Sequence, residues 1–448
     1  MHILLTGANG FIGSALAAAL LARGHTLICP RRGSAIPGPS AGQPDSRVRS
    51  FALDFADRPP PQAWRAALEG VDVVVNTVGI LQERGTQTFS ALHVDAPLAL
   101  FDACVLAGVR RVIQVSALGA DNGARSAYHL SKRSADAYLM RLPIDSVVVQ
   151  PSLVYGPGGN SARLFNTLAS LPVVALPGGG RQQIQPVYLA DAVDAIVALI
   201  EMPRAAQPPG SQVVPLVGPH PVSLRDYLAT LRRAMHLTPA APVVPLPVSA
   251  LRTVAGLAAR LPGSLFDADT LDMLERGNVG DPAAITRLLG HGPRGAEQFI
   301  APQEAPAVRL QASLNWALPC LRMAFALVWI WTGIVSFGLY PEADSLALLA
   351  RLGADGEFAR VLLYGAALLD LILGVLILTL RGSKRQALWV AQFCLIAFYT
   401  VAITFWLPEF WLHPYGPILK NLPMLAALLL LYQLEDHSPE QGATRWTT

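Results

Sequence analysis

Over the first two hundred residues, short β-branched runs alternate with longer stretches whose apolar positions recur every three or four residues. Residues 2–6, 26–30, 71–77, 111–116 and 146–150 carry the continuous apolar runs of strands buried on both faces. Between them, residues 12–23, 62–68, 96–107 and 126–142 have helical length and periodicity. Such alternation predicts an α/β fold, a doubly wound parallel sheet with helices on both faces. From residue 200 to 310 proline and glycine rise, and short helices are predicted at 224–235, 248–260 and 267–276. This stretch reads as a small cap (about 205–300) completing a domain of residues 1–300, with 301–316 as a linker. No internal repeat is present.

From residue 318 the pattern changes again. Residues 318–340, 361–380, 386–407 and 417–434 are apolar and each near the ~20 residues that cross a bilayer as a helix. A four-helix transmembrane bundle over residues 317–436 is therefore predicted. Composition agrees: 52% of residues are hydrophobic and 15% charged, against about 25% charged in an average soluble chain. A hydrophobic soluble bundle is the other reading. Arg381, Lys384 and Arg385 lie between the second and third spans, whereas acidic residues outnumber basic ones between the first and second. The basic loop belongs inside. That places the first domain and both termini in the cytoplasm, at a bacterial-type inner membrane with the lipid bilayer as a partner.

Charge and cysteine content narrow the chemistry. A net charge of +3, dispersed along the chain, gives no footprint for nucleic acid. The four cysteines are far apart, without metal-ligand spacing, so neither a disulfide framework nor a metal site is predicted. The apolar run after residue 10 lacks a basic leader and follows a glycine turn, so it reads as a helix of the fold and not as a signal peptide.

That turn is Thr6-Gly7-Ala8-Asn9-Gly10-Phe11-Ile12-Gly13, between the first strand and the first helix. The three glycines allow a tight turn, a close backbone approach to a pyrophosphate, and close helix–strand packing. The helix N-terminus adds partial positive charge. A dinucleotide site of the Rossmann type follows, with Thr6, Gly7, Asn9, Gly10, Phe11, Ile12 and Gly13 as its first contacts. The second strand ends on Arg31 and Arg32, where an NAD-specific site carries a carboxylate for the ribose. Two guanidiniums suit a 2′-phosphate, so NADP(H) is expected in preference to NAD(H). Asp54 and Phe55, after the third strand, stand where the adenine is expected.

These residues resemble the short-chain dehydrogenase/reductase superfamily, in its extended and atypical branches. Asn76-Thr77-Val78-Gly79 resembles the turn ending the family's fourth strand, Tyr128-His129-Leu130-Ser131-Lys132 its YxxxK, and residues 150–158 the segment closing on the nicotinamide. The resemblance adds Thr77, Val78, Gly79, Ser116, Pro151, Leu153 and Val154 to the expected cofactor contacts. Residues 78–80, 115–121, 176–180 and 185–188 are similar to bacterial relatives of the nucleotide-binding accessory subunit of respiratory complex I. That likeness implies tightly held NADP(H) and a connection with quinone enzymes or their assembly. Residues 412–423, with the four-span layout, resemble the DoxX-like membrane proteins, which are associated with quinone-linked oxidation.

Tyr128 and Lys132 share a helix face. They are the expected catalytic pair, the tyrosine passing a proton and the lysine stabilising its anion and holding the ribose. The family's Ser or Thr that binds the substrate carbonyl is replaced by Ala117, with Ser116 one place earlier; Ser126 and Ser131 are the candidate substitutes. Two readings stay open: an oxidoreductase acting on a small lipophilic carbonyl or quinone, or a non-catalytic NADP(H) protein that assembles or stabilises a membrane complex with other subunits. A nucleotide-sugar epimerase or dehydratase ranks below both. In the second span Asp370 calls for a partner, with Arg322 and Lys420 as candidates.

Overall fold

The computed structural model describes residues 1–33, 45–203, 210–247, 249, 276–414 and 416–435. They form two compact units, Met1–Ser313 and Leu314–Thr448.

The first unit is built on strands β1 (His2–Thr6), β2 (Thr26–Arg31), β3 (Val48–Ala52), β4 (Val73–Asn76), β5 (Arg111–Val115), β6 (Asp145–Pro151) and β7 (Gln212–Leu216). They make one seven-stranded sheet in the order β7-β6-β5-β4-β1-β2-β3. Every pairing is parallel. The chain winds outward from β1 to β3, then returns to the other side of β1 with β4. The crevice between the carboxyl ends of β1 and β4 is therefore the topological switch point, where such sheets bind ligands. Helices α1 (Phe11–Ala22) and, later, α5 (Leu189–Glu201) cover one face; α2 (Ala96–Ala107) and α3 (Ala127–Leu139) cover the other. Val73, Val74 and Val75 are all fully buried, which only a sheet packed on both sides permits.

Helix α4 (Asn160–Ser170) packs with α6 (Leu224–Ala234) around Tyr155, Tyr227 and Phe299, a core separate from the sheet's. Of these, only α6, Tyr227 and Phe299 fall within the 205–300 range read as the cap. β7, however, lies inside the expected cap yet is the sheet's edge strand, and helix α7 (Ala283–Leu289) packs on β7 and α5. The sheet layer thus reaches well past residue 200. The helices expected at 248–260 and 267–276 fall, apart from Ser249 and Arg276, outside the described residues.

Helix α8 (Ala305–Ile334) begins inside the expected linker. Then come α9 (Glu342–Arg351), which the apolar pattern did not predict, α10 (Gly356–Thr379), α11 (Gly382–Trp406) and α12 (Asn421–Leu434). The spans of α8, α10 and α11 have mean hydropathies of 1.7, 2.5 and 1.9 and are long enough to cross a membrane. Ser90–Ala107 also meets that standard, but half of it is buried against the sheet. The expected fourth span is shorter: α12 has 14 residues, about 21 Å of helix, against ~30 Å of hydrocarbon.

Within this unit the charges collect at the bundle's ends. Glu435 is buried; Arg322 donates to it at 3.0 Å and the Trp389 indole at 3.2 Å, while Arg385 is 3.4 Å away. Arg351 pairs with Glu409, and Arg360 with Glu342 and Glu357. Arg322 is therefore not the partner of Asp370, and Lys420 is exposed. Asp370 has no ion pair with any described residue.

Candidate functional site

At the carboxyl end of β1 the chain turns through Gly7, whose φ of +72° favours glycine. A Cβ on Gly13 would lie 2.0 Å from the Gly7 carbonyl oxygen, so only glycine lets α1 start this close to the strand. The N-cap of α1 is Gly10; no side chain caps its first turn, and that turn holds no acidic residue. Its free N–H groups and dipole are open to an anion, which fits a pyrophosphate. The Phe11 ring fills the space beside Gly156 and Gly159, Ile12 packs on the core, and Asn9 is exposed.

Behind the turn lies a buried polar lattice. The Thr6 hydroxyl donates to Asn76 Oδ1 at 2.5 Å, and Asn76 Nδ2 to Gln114 Oε1 at 2.8 Å. Thr77 Oγ1 donates to the Thr6 carbonyl at 2.7 Å, and the Val78 N–H to Asn76 Oδ1 at 3.2 Å. Thr6 and Thr77 thus hold β1 to β4, and the Thr6 side chain supports the turn from behind instead of touching a ligand.

Arg31 and Arg32 stand exposed at the end of β2, without an ion pair among the described residues. Asp54 accepts from the Ala56 N–H at 2.9 Å, capping a short helical turn. Phe55 departs from the expectation. Its ring is buried edge-on to Trp64, 5.6 Å between centroids, so core packing has claimed the side chain expected against the adenine.

On α3, Lys132 is 3% exposed, and its ammonium donates to the carbonyls of Val78 (3.1 Å) and Val115 (3.2 Å). It thereby reaches the ends of β4 and β5, beside Gly79. One turn earlier, the Tyr128 hydroxyl is bonded to no described residue. Burial, aided by the negative charge of Asp136, pushes that phenol up to about 12. Pro151 is buried with its carbonyl accepting from the Leu118 N–H at 2.9 Å, and Leu153 and Val154 follow at the rim.

Sequence reasoning missed two residues here. Asp136, one turn beyond Lys132, is buried and accepts the Ser116 hydroxyl. Ser116 therefore spends its side chain on Asp136, not on the cofactor face. Burial raises the Asp136 carboxyl and lowers the Lys132 ammonium, and each charge opposes the other's shift. Extending the Tyr128–Lys132 face by one more turn finds this residue. His93 is the other. It accepts from the Ile80 N–H at 3.0 Å through Nε2 and meets Ser131 Oγ at 2.8 Å through Nδ1. Burial and the Lys132 charge push it from 6.5 to about 2, so it is neutral. Nothing in its sequence setting marked it.

Ala117 is buried with no hydroxyl to offer. Ser126 caps α3 and bonds His129, while Ser131 donates to the Tyr128 carbonyl and meets His93. Neither serine is free to replace the missing group.

Residues 3–214 match the NAD dependent epimerase/dehydratase family, and residues 326–429 the DoxX-like family. The chain joins an N-terminal epimerase/dehydratase domain to a C-terminal DoxX-like domain. An epimerase family protein of Mycobacterium bovis is 29% identical over 256 residues, 52% of this chain and 79% of that protein. The mitochondrial NADH dehydrogenase (ubiquinone) 1 alpha subcomplex subunit 9 of Rattus norvegicus is 26% identical over 286 residues, 62% of this chain and 72% of that one. Among solved structures, a nucleoside-diphosphate-sugar epimerase from Staphylococcus aureus superposes with a TM-score of 0.53 at 19% identity, covering 67% of this chain and 99% of that one. The UDP-glucuronic acid 4-epimerase of Bacillus cereus in complex with NAD gives 0.50 at 18% identity, covering 69% and 100%. At these identities the solved structures speak to the fold alone.

Proposed function

We propose that this chain holds NADP(H) at the carboxyl edge of its sheet and uses it to reduce a lipophilic carbonyl or quinone at the cytoplasmic face of a bacterial-type inner membrane. The observation that carries this reading is the Tyr128 hydroxyl, protonated up to about pH 12 and bonded to no described residue, one helical turn from Lys132. A phenol so placed suits proton donation to a substrate oxygen as hydride reaches the adjoining carbon. A bound nicotinamide supplies the hydride. The protein's own part is to seat phosphates on the uncapped start of α1, hold ribose hydroxyls with Lys132, and deliver the proton from Tyr128. NADP(H) is favoured by Arg31 and Arg32, which present guanidiniums where a ribose-binding carboxylate is missing.

The test is NADPH oxidation by full-length protein in nanodiscs against a panel of short-chain quinones and alkyl aldehydes. Tyr128→Phe should lower turnover by about 10²-fold or more while leaving NADPH binding unchanged. Full activity in Tyr128→Phe would overturn the proton-donor role.

Ala117, with Ser126 and Ser131 both committed elsewhere, favours a second reading. In it the domain binds NADP(H) without turnover and stabilises or assembles a membrane complex. Tyr128→Phe is then silent, no substrate in the panel is reduced, and other subunits co-purify in a nucleotide-dependent way.

A further inference from the structure

We propose that Asp370 and Gln392 form a hydrogen-bonding site inside the apolar helix bundle for the hydroxyl group of a lipophilic alcohol or phenol. This site lies wholly in the second unit and does not depend on the nucleotide reading. Asp370, on α10, is 8% exposed, makes no hydrogen bond or ion pair with any described residue, and leaves Oδ1 buried without a donor. Gln392, on α11, is fully buried. Its Oε1 accepts from the Trp329 indole at 3.0 Å, which fixes the amide's orientation and leaves Nε2 buried without an acceptor.

The two side chains sit at one level of the bundle. α10 and α11 are joined by a tight connection, and each residue lies about 14 Å of helical rise from it. Glycines bring α8 to the same level. A Cβ on Gly374 would lie 2.5 Å from Ile330, and one on Gly333 would lie 2.8 Å from the Ala367 carbonyl, contacts that bracket Asp370 along α10. Phe325, Leu373, Leu388 and Ile396 belong to the apolar core of the same bundle, and the Tyr399 phenol lies within electrostatic reach of Asp370. An acceptor lacking a donor and a donor lacking an acceptor thus stand in apolar surroundings, where unpaired polar groups are costly. A hydroxyl is the smallest group that meets both needs, its O–H donating to Asp370 and its oxygen accepting from Gln392. The apolar walls suit a hydrocarbon body.

Full-length protein in nanodiscs is titrated calorimetrically with 4-decylphenol and with its methyl ether, 4-decylanisole, which cannot donate. The phenol should bind saturably and the ether about tenfold or more weakly. Asp370→Leu and Gln392→Leu should each lose about tenfold in phenol affinity. Asp370→Leu should melt at or above the wild-type temperature, since it removes a buried group without a partner; Gln392→Leu also leaves the Trp329 indole without its acceptor and should melt somewhat lower, and Asp370→Asn, which keeps an acceptor oxygen, should lose less phenol affinity. The NADPH-induced rise in melting temperature should be unchanged in all three, which separates this site from the nucleotide site. Equal binding of phenol and ether, equal phenol affinity in wild type and both leucine variants, or an Asp370→Leu variant that melts lower with binding intact would each overturn the proposal. The last result would assign Asp370 to holding the bundle together.

Discussion

A methyl group on Gly13 would press on backbone, the Gly7 carbonyl at 2.0 Å, whereas one on Gly10 meets the same oxygen at 3.2 Å. The first clash cannot be relieved by rotating a side chain; the second needs a few tenths of an ångström. Gly13→Ala should therefore abolish the NADPH-induced rise in melting temperature and destabilise the domain by about 1–3 kcal/mol, the scale of overpacking. Gly10→Ala should only weaken nucleotide binding. At the end of β2, replacing Arg31 and Arg32 by alanine should cost NADPH about 1.5–3 kcal/mol, the worth of charge-assisted hydrogen bonds, and leave NADH affinity unchanged; equal losses for both nucleotides would remove the basis for preferring NADP(H). His93 makes a pH prediction. Its pKa falls from 6.5 unfolded to about 2 folded, so the unfolded state binds the extra proton between those values. The stabilisation is complete above about pH 6.5 and is lost at up to about 1.4 kcal/mol per pH unit as the pH falls toward 2. Asp136, raised to about 6 by burial, works in the opposite sense below that value, so the comparison must be with His93→Gln. That variant's stability should fall less steeply between pH 6.5 and 4.5, and parallel curves would show that His93 is not buried as a neutral ring. The glycine turn was legible because its spacing encodes backbone sterics. His93 and Asp136 were not, because their roles arise from chain segments brought together only by the fold, and Phe55 misled because an aromatic at a strand end serves core and ligand equally well.

At the level of elements, strands buried on both faces were legible from their apolar runs alone, and β1 and α2 have the bounds that periodicity predicts. β7 escaped for a physical reason. Its sequence, Gln212-Val213-Val214-Pro215-Leu216, contains a proline, which argues against a central strand but is tolerated at an edge. It pairs with β6 on one side only, so the missing N–H of Pro215 breaks no ladder beyond it. Among the apolar helices, α8 and α10 approach through Gly333 and Gly374, where an added Cβ would strike Ala367 O at 2.8 Å and Ala326 O at 3.0 Å. Close backbone approach of this kind is a main source of helix association where no water is left to expel. Gly374→Val should therefore lower the melting temperature of the detergent-solubilised protein by several degrees, about 1–3 kcal/mol of overpacking. Gly365→Val, on the same helix with open space around it, is the control and should change nothing. Equal losses in both would trace the effect to β-branching within a helix and not to the contact with α8.

For the whole molecule, composition and the change of hydrophobic period were enough to separate a nucleotide domain from an apolar bundle, but not to assign the charges within the spans. Arg322, read along the sequence as a candidate partner for Asp370, is held by Glu435 together with Arg385. That cluster gathers α8, the start of α11 and the residue following α12 at one end of the bundle, where Arg381 and Lys384 add further positive charge. Toward the other end Arg351 is paired with Glu409 and Arg360 with Glu342 and Glu357, while Lys420, Asp344 and Asp355 are exposed. The excess of Lys and Arg therefore marks the Glu435 end, and the charge rule predicts that this end faces the cytoplasm. The nucleotide domain precedes the first span in the sequence, so the proposed reading expects it on that same side. The orientation can be read with cysteines. Cys320 and Cys394 are exposed and are first replaced by serine; Cys29 and Cys104 are buried in the sheet's cores and can stay. Ala343→Cys, on α9, and Ser383→Cys, at the start of α11, are then introduced singly. In intact spheroplasts of a Gram-negative bacterium expressing the full chain, a membrane-impermeant maleimide should label position 343 at once and position 383 only after permeabilisation. The reverse pattern would put the nucleotide domain outside, away from the cellular pool of pyridine nucleotides, and the reductase reading would fall with it. Labelling of both positions in intact cells would mean that α10 does not span the membrane.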